Sequence, residues 1–384
     1  MDSHEPWPPQ GEETEHTIVP GIDESRVVGL DRKNVIHQLV VTDGLEPGRR
    51  IKVEARALVL GRTLPADVVL ADGEVSRAHC KVAAHEGEVT LTDLNSTNGT
   101  FVDGERIQGS VQLQVGNIVV VGRQVLRYER VSLKEASAVR ELDRELEKAR
   151  RYVEALLPPP LLAGSIRTEW TMLPSAQLGG DAFGYQQLDA RTFAVYLLDV
   201  SGHGTSSAML AVTATNVIRQ RAIPATDFRD PAAVLKALNV MFQMEQHGDM
   251  YFTLWYGVYD TVTRRLTFAS AGHHPAYLVP PSRKSAVPLW SPGSLMIGAY
   301  EDAQYTASTV EIPPGSGLYV FSDGVFEVVA LDGRRWELED FVPLLTEPAT
   351  AGVPESRRLL ARMQRVQGRP NFEDDFTMLV ASFE

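Results

Sequence analysis

Hydrophobic residues between positions 31 and 130 occur in short runs that alternate with turn residues. Two such runs, 35–41 and 118–121, are rich in valine, leucine and isoleucine, and turn dipeptides such as Asn98-Gly99 lie between the runs. Many short strands with this turn chemistry are typical of an all-β sandwich. Residues 1–30, by contrast, are rich in Glu, Pro and Gly, which predicts a disordered tail.

A helical period follows between residues 131 and 157, where Gly and Pro are absent. Apolar residues there recur at alternating spacings of three and four, as in the seam of a coiled coil. These residues are Val139, Leu142, Leu146, Ala149, Val153 and Leu156. Glu147 and Arg151 are spaced to form an ion pair, and Pro158 ends the pattern because proline cannot continue a helix. A passive spacer and a dimer-forming helix are both compatible with this stripe; we favour dimerisation, because an amphipathic helix must bury its apolar face.

Strand-like runs dominate the remainder of the chain, 164–384, together with two helical patterns at 206–221 and 231–245. The strands and helices show no repeated strand–helix–strand alternation, which favours a layered α/β arrangement with a largely antiparallel sheet. The apolar run 193–198 reads as a buried strand, and an aspartate, Asp199, follows it directly.

Composition narrows the function classes. The net charge of −13 argues against a surface that binds nucleic-acid phosphates. One cysteine, Cys80, excludes an intrachain disulfide and a cysteine-rich zinc site, so we expect a reducing, cytoplasmic compartment and a buried Cys80. No apolar stretch approaches the ~20 residues of a membrane span, so we expect no membrane partner.

Polar residues cluster in three loops of the β-rich segment. The clusters are Gly61-Arg62, Ser76-Arg77-Ala78-His79 and Asn95-Ser96-Thr97-Asn98-Gly99. In this order they resemble the forkhead-associated (FHA) domain, which implies a β-sandwich whose loops bind phosphothreonine. The resemblance implies that His79 braces a loop and that five residues contact the phosphopeptide: Arg62, Ser76, Arg77, Thr97 and Asn98. A guanidinium with hydroxyl and amide donors suits a phosphate, although each residue alone is more typical of a turn or surface role.

Two threonines in the tail, Thr14 and Thr17, are most simply solvated residues. If a kinase phosphorylates them, they become possible ligands of the chain's own phosphothreonine reader.

Four aspartates in the second half border apolar runs or glycine turns: Asp181, Asp199, Asp323 and Asp374. Carboxylates without clustered histidines or cysteines favour hard divalent cations, Mg²⁺ or Mn²⁺. Two such ions can activate a bridging water and stabilise an in-line displacement at phosphorus.

The same stretches resemble the metal-dependent type 2C (PPM) protein phosphatases, in their bacterial sporulation and stress-response (SpoIIE-like) branch. The matching motifs are 156–158, 179–181, 199–204, 271–275, 322–327 and 374–377. The resemblance implies an αββα sandwich with two divalent cations, Mn²⁺ or Mg²⁺, and direct attack on phosphorus by a hydroxide held between them. It also implies that the substrate is a phosphorylated signalling protein, such as an anti-sigma-factor antagonist.

By position in these motifs, Asp199 would bridge both ions and the backbone carbonyl of Val200 would join one. Asp181, Asp323 and Asp374 would complete the coordination, and we take Asp199 and Asp181 as the catalytic pair. Asp375 is the alternative to Asp374. The branch often has a further acid three residues after the first motif's aspartate, where this chain has Gly184.

The histidines of these motifs, His203, His273 and His274, are more typical of turn packing than of metal ligation. A Ser201–His203–Asp199 hydrolase triad is rejected, because residues two apart in one loop rarely present nucleophile, base and orienting group in sequence. Two alternatives stay open: a catalytically inactive phosphopeptide-binding scaffold, and an esterase for small phosphorylated molecules.

The predicted organisation is therefore multidomain. The segments are a tail (1–30), an FHA domain (31–130), a helical linker able to dimerise (131–163) and a phosphatase domain (164–384).

Overall fold

The computed structural model describes residues 34–292 and 295–384. The chain divides into two compact units, 1–140 and 141–384. The predicted tail, with Thr14 and Thr17, lies outside the described residues. Within the described part of the chain, no helix has both the length and the apolar character needed to cross a membrane.

The first unit is a β-sandwich of two sheets. Its strands are β1 (Val35–Asp43), β2 (Arg50–Val53), β3 (Leu58–Gly61), β4 (Val68–Val69), β5 (Cys80–His85), β6 (Glu88–Asp93), β7 (Thr100–Val102), β8 (Glu105–Arg106), β9 (Ser110–Leu113), β10 (Ile118–Val121) and β11 (Gln124–Ser132). The sheet orders are β2-β1-β11-β10-β7-β8 and β4-β3-β5-β6-β9. Side chains from both sheets, including Leu39, Leu60, Val82 and Val119, form one core. The predicted all-β sandwich is confirmed.

Cys80, at the start of β5, is fully buried in that core. Burial raises the pKa of its thiol to about 12. The thiol therefore stays protonated and behaves as a small apolar side chain, as the sequence predicted.

Helix α1 (Leu133–Leu156) follows β11 without an intervening loop. Its start is a capping box, in which Glu135 N donates to Ser132 Oγ (3.0 Å) and Ser132 N donates to Glu135 Oε2 (2.9 Å). The helix begins later than the apolar pattern suggested, because Ser132 is still paired with Val35 in the sheet. The expected ion pair between Glu147 and Arg151 is present at 3.1 Å.

None of the residues of α1 is buried, and Leu142 in the predicted seam is 59% exposed. The division between the two compact units falls inside this helix. The other five apolar residues of the stripe are half-buried, and dimerisation stays a prediction.

Among its described residues, the second unit contains two five-stranded antiparallel sheets and, besides the C-terminal part of α1, four α-helices. The helices are α2 (Thr205–Gln220), α3 (Pro231–Met241), α4 (Leu338–Phe341) and α5 (Glu355–Gln367). The strands are β12 (Ile166–Leu173), β13 (Asp181–Gln187), β14 (Thr192–Val200), β15 (Phe252–Asp260), β16 (Arg265–Ala271), β17 (Ala276–Val279), β18 (Val287–Leu289), β19 (Ser308–Glu311), β20 (Ser316–Phe321) and β21 (Phe376–Phe383). The sheet orders are β13-β14-β15-β16-β19 and β12-β21-β20-β17-β18.

Three layers of buried side chains separate the helices and sheets of this unit. Helices α2 and α3 pack on the first sheet, for example through Leu210 and Leu235. The two sheets pack on each other around Trp255. Helices α4 and α5 cover the second sheet through residues such as Phe341 and Leu359. The order helix, sheet, sheet, helix confirms the predicted αββα sandwich with antiparallel sheets.

Helix α5 was missing from the sequence-based prediction, which contained only two helical patterns in this unit. Leu359 and Met363 lie on its buried face, and Gly368 ends it with a left-handed backbone (φ 73°). The i, i+4 spacing and the C-terminal glycine are signals from which it could have been predicted. Its many arginines obscured the apolar stripe.

Candidate functional site

Two of the predicted metal ligands are direct neighbours across a strand pair. In the antiparallel ladder of β13 and β14, Asp181 lies opposite Asp199. Asp199 is the penultimate residue of β14 rather than the first residue after it, and it also pairs with Thr253 of β15. The sequence had placed this aspartate beyond the end of its strand, and the structure extends the strand to Val200.

The pleat of β14 determines which way Asp199 faces. Val195 and Leu197 belong to the core between the two sheets, whereas Tyr196 and Leu198 belong to the core under the helices. Because alternate residues share a face, Asp199 lies on the inter-sheet face, and so does Asp181 opposite it. Both carboxylates therefore lie at one end of the space between the sheets.

The other two predicted ligands reach this end from the second sheet. Asp323 begins a short 3₁₀ turn, Asp323–Val325, directly after β20, and Asp374 lies just before β21. Asp181 is 2% exposed, Asp199 and Asp323 are half-buried, and Asp374 is exposed. The predicted acids thus come from both sheets of the sandwich.

Burial and mutual repulsion perturb these acids strongly. Burial, followed by the charges of Asp323 and Asp374, raises the pKa of Asp199 to about 8. Burial, followed by the charge of Asp374, raises the pKa of Asp323 to about 6. Burial and the charge of Asp199 also raise the pKa of Asp181 well above its ordinary value of 3.8. Such shifts are typical of carboxylates that lack a nearby cation.

Two observations bear on whether this acidic site can hold a metal ion. Among residues 34–292 and 295–384, no group of three or more His, Cys, Asp or Glu side chains converges closely enough to hold an ion as placed. However, the buried Oδ2 of Asp181 has no hydrogen-bond partner among the described residues. An unsatisfied buried carboxylate oxygen beside a second carboxylate fits a divalent cation in chemistry.

Asp375, the alternative to Asp374, has a different environment. It is 5% exposed, and its carboxylate accepts hydrogen bonds from Ser175, Gly180 and Asp181. Asp374 instead accepts only the amide of Asp375 among the hydrogen bonds of the described residues (2.7 Å). The structure therefore leaves Asp374 as the more open carboxylate of the two. Nothing in the sequence distinguished their environments.

The motif histidines divide into one exposed and two buried residues. His203 is exposed in the loop after β14. The rings of His273 and His274 pack against each other at a tilt of 40° with centroids 4.3 Å apart, and burial lowers the pKa of His273 to about 4. His274 also packs against Phe321. The buried pair is neutral and embedded among aromatic rings, which fits the packing role expected from the sequence.

A cavity of about 450 Å³ opens directly after the Asp323 turn. Glu327 lies one helical turn beyond Asp323, since Glu327 N donates to the Asp323 carbonyl (2.9 Å). It also forms an ion pair with Arg335 at 2.6 Å on the cavity wall. Trp336 lines the same wall. Sequence reasoning missed Arg335 and Trp336, which come from a hairpin after the motif and match no part of it.

In the first unit, all five predicted phosphopeptide contacts line one cavity of about 880 Å³. The side chains of Arg62 and Arg77 are exposed at this cavity. Thr97 N donates to Ser76 Oγ at 3.0 Å, which joins two of the three polar loops. Asn98 Nδ2 donates to the carbonyl of Glu74 at 2.8 Å. The cavity therefore presents two guanidinium groups beside a connected set of hydroxyl and amide groups.

The ring of His79 is hydrogen-bonded to two of these loops. Ser76 N donates to His79 Nδ1 (3.0 Å), so Nε2 carries the proton and donates to the Gly99 carbonyl (3.0 Å). The ring is fully buried. This geometry agrees with the bracing role that the resemblance implied.

Comparison with known families gives two matches along the chain. Residues 189–384 match the family described as Stage II sporulation protein E (SpoIIE). Residues 58–122 match the FHA domain.

Individual relatives resemble one part of the chain or the other. Phosphoserine phosphatase RsbP of Bacillus subtilis is 30% identical over 191 residues, which is 49% of this chain and 46% of that protein. FHA domain-containing protein FhaB of Mycolicibacterium smegmatis is 34% identical over 95 residues, 25% of this chain and 61% of that protein. The chain thus spans about half the length of RsbP and less than two thirds of FhaB.

Among solved structures, the PP2C domain of SiaA from Pseudomonas aeruginosa superposes with a TM-score of 0.55 at 24% identity. The match covers 65% of this chain and the whole of that one. At this identity the likeness shows a shared fold.

Proposed function

This chain belongs to the SpoIIE family, and we propose that it is a metal-dependent protein phosphatase that hydrolyses phosphoserine or phosphothreonine in a signalling protein. The observation that carries this proposal is the facing pair of Asp181 and Asp199, with a buried carboxylate oxygen that lacks a partner among the described residues. Two carboxylates in this position need a cation, and a phosphomonoester substrate needs positive charge for its transition state.

The proposed ion-binding residues are Asp181, Asp199, the backbone carbonyl of Val200, Asp323 and Asp374. Two bound Mn²⁺ or Mg²⁺ ions would supply positive charge for the phosphoryl group and would lower the pKa of a water. Asp199 and Asp181 hold their carboxylates at the edge of the inter-sheet space, fixed by the β13–β14 ladder. The cavity after Asp323 is a candidate place for the polypeptide that flanks the phosphorylated residue.

The proposed substrate is a phosphorylated protein, because the relative RsbP is named a phosphoserine phosphatase. Within that class, the resemblance to the stress-response branch points to an anti-sigma-factor antagonist. The first unit would bind phosphothreonine through Arg62, Ser76, Arg77, Thr97 and Asn98. That reader would recruit a partner or bind Thr14 or Thr17 of the tail after phosphorylation.

Helix α1 is proposed to dimerise the chain through its apolar stripe. The stripe has no buried residue within the helix as described. Two parallel copies would bury Leu142 and Leu146 against each other at the positions of a coiled-coil seam.

The test of the enzyme is phosphate release from a phosphoserine peptide with Mn²⁺ or with EDTA. We expect Mn²⁺-dependent release, and a loss of at least ~10²-fold in Asp199→Asn, since a charge-stabilising group is removed. Asp302→Asn is the matched control, because Asp302 is an exposed acid whose side chain takes no part in the hydrogen bonds described. Equal background rates for the wild type and Asp199→Asn would favour the inactive scaffold. Preference for small phosphate esters over the peptide would favour the small-molecule esterase.

A further inference from the structure

Asp375 connects the segments that carry the proposed metal ligands. It is 5% exposed and follows Asp374 directly. Its Oδ1 accepts two hydrogen bonds from Ser175, from the backbone amide (2.7 Å) and from the hydroxyl (2.9 Å). These bonds fix the start of the loop that leads to Asp181.

The second carboxylate oxygen reaches the end of the same loop. Oδ2 accepts from Gly180 N at 2.7 Å and from Asp181 N at 3.4 Å. Gly179 lies so close that a Cβ there would be 2.4 Å from Oδ2. A larger residue at position 179 would push the loop away, so the glycine permits the contact.

The backbone of Asp375 makes the third connection, to the segment that carries Asp323. Ser322 Oγ donates to the Asp375 carbonyl (2.9 Å) and accepts from Thr377 N (3.0 Å). Gly324 packs against the same carbonyl, because a Cβ there would be 2.3 Å from it. One residue thus contacts the loop before Asp181 and both flanks of Asp323.

The partners of the Asp375 carboxylate are neutral hydrogen-bond donors, namely three amides and one hydroxyl. This set satisfies the acceptor capacity of a buried side chain with groups of the protein. Both oxygens are engaged in these bonds. The Asp375 carboxylate therefore binds donors of the protein through both oxygens, whereas the Asp374 carboxylate accepts one hydrogen bond among the described residues.

We propose that Asp375 is a positioning residue of the metal site: it aligns the backbone segments that carry Asp181, Asp323 and Asp374, without binding an ion itself. This inference rests on the proposed function. Residues that orient metal ligands through hydrogen bonds typically change metal affinity about 10–100-fold when they are replaced.

The test is Mn²⁺ titration of Asp375→Asn by calorimetry. Asparagine keeps the size of the side chain, but its NH₂ group must face either the Ser175 donors or the Gly180 and Asp181 amides. We expect Mn²⁺ to bind about 10–100-fold more weakly, with the same number of ions as in the wild type. We also expect phosphate release to recover largely at saturating Mn²⁺, whereas Asp374→Asn stays impaired.

Two results would overturn the inference: unchanged Mn²⁺ affinity in folded Asp375→Asn, or the loss of one bound ion, which would make Asp375 a ligand. If Asp375→Asn does not fold, Ser175→Ala removes only the hydroxyl donor and should weaken Mn²⁺ binding about threefold. Unchanged affinity in that variant would then overturn the inference. A wild type that neither binds Mn²⁺ nor releases phosphate would refute the proposed function instead.

Discussion

Asp181 and Asp199 lie directly opposite each other at the end of the β13–β14 ladder. Like charges in this arrangement destabilise a sheet, and here burial adds to their repulsion. The neighbouring residues on the same face of β14, Val195 and Leu197, are apolar, so a ligand rather than the packing of the sheets accounts for the acidic pair. Several expected outcomes depend on this relationship.

Removal of one charge should stabilise the metal-free protein. Above pH 8, where Asp199 is ionised without metal, Asp199→Asn removes its repulsion with Asp181, so we expect the free energy of unfolding in EDTA to rise by ~1 kcal/mol. For a unit of this size, that corresponds to a melting temperature higher by ~2–4 °C. Calorimetry in EDTA measures the change, and Asp302→Asn should melt like the wild type. A lower melting temperature for Asp199→Asn would contradict the expectation.

Without metal, the free energy of unfolding should decrease, rather than increase, as the pH rises through the neutral range. The pKa values of Asp199 (about 8) and Asp323 (about 6) exceed the ordinary 3.8, so between these limits the folded protein binds more protons than the unfolded chain. Buried His273 and His274, whose pKa values are lowered, act in the opposite direction below about pH 6.5. Stability without metal should therefore fall as pH rises from about 6.5 to 8, and Mn²⁺ affinity should increase over the same range. Urea unfolding in EDTA across this range checks the first part. A free energy of unfolding that rises with pH would disprove this expectation. So would a free energy of unfolding that does not change with pH in either the wild type or Asp199→Asn.

Phosphothreonine binding should depend on Arg62. A guanidinium that pairs with phosphate contributes ~1.5–3 kcal/mol, so Arg62→Ala should weaken binding at least ~10-fold. Fluorescence anisotropy with a pool of phosphothreonine peptides measures this, with the unphosphorylated pool as blank. Arg50→Ala is the matched control, because Arg50 is an exposed arginine of β2 that does not line the cavity. Equal losses of affinity in Arg62→Ala and Arg50→Ala would show that binding depends on net charge alone and not on the position of Arg62.

Gly184 should resist enlargement, which explains why the further acid of the branch is missing here. A Cβ at this position would lie 2.3 Å from the hydroxyl oxygen of Tyr196, the cross-strand neighbour of Gly184. We expect Gly184→Ala to destabilise the protein by ~1–3 kcal/mol through overpacking. In a Tyr196→Leu background the penalty should shrink by ~1 kcal/mol or more, as a double-mutant cycle would measure. If the effects of Gly184→Ala and Tyr196→Leu on stability are additive, the ring of Tyr196 is not what excludes a side chain at position 184.

The oligomeric state should depend on the apolar stripe of α1. If α1 forms a parallel dimer, Leu142→Glu together with Leu146→Glu should place like charges in the seam and give monomers. Light scattering after size-exclusion chromatography reports the mass. Arg144→Ala, which changes the helix outside the seam, should leave the mass unchanged. A monomeric wild type would refute the dimer.

The layered architecture could be predicted from the sequence, but the facing aspartates could not. Strand β14 is a continuous apolar run, whereas β13 contains Gly184 and two glutamines and has no strand signature of its own. Its pairing follows from the turn around Asp189, which accepts from the amides of Arg191 and Thr192. Recognition of that turn would have placed Asp181 opposite Asp199.

The roles of Asp374 and Asp375 were beyond sequence reasoning for another reason. Adjacent residues next to a strand point in different directions, so their environments depend on register and on which loops pass nearby. The donors to Asp375 come from positions 175–181, far away in the chain. Only the fold brings them together.

The close approaches around Asp375 also constrain how this family of sequences can evolve. Gly179 and Gly324 belong to two motifs separated by most of the second unit, yet both leave space for the same residue. A larger residue at position 179 is therefore tolerated only if the side chain at position 375 changes with it, whereas position 324 faces the backbone carbonyl of residue 375. Across homologues, positions 179 and 375 should vary together, and position 324 should remain glycine.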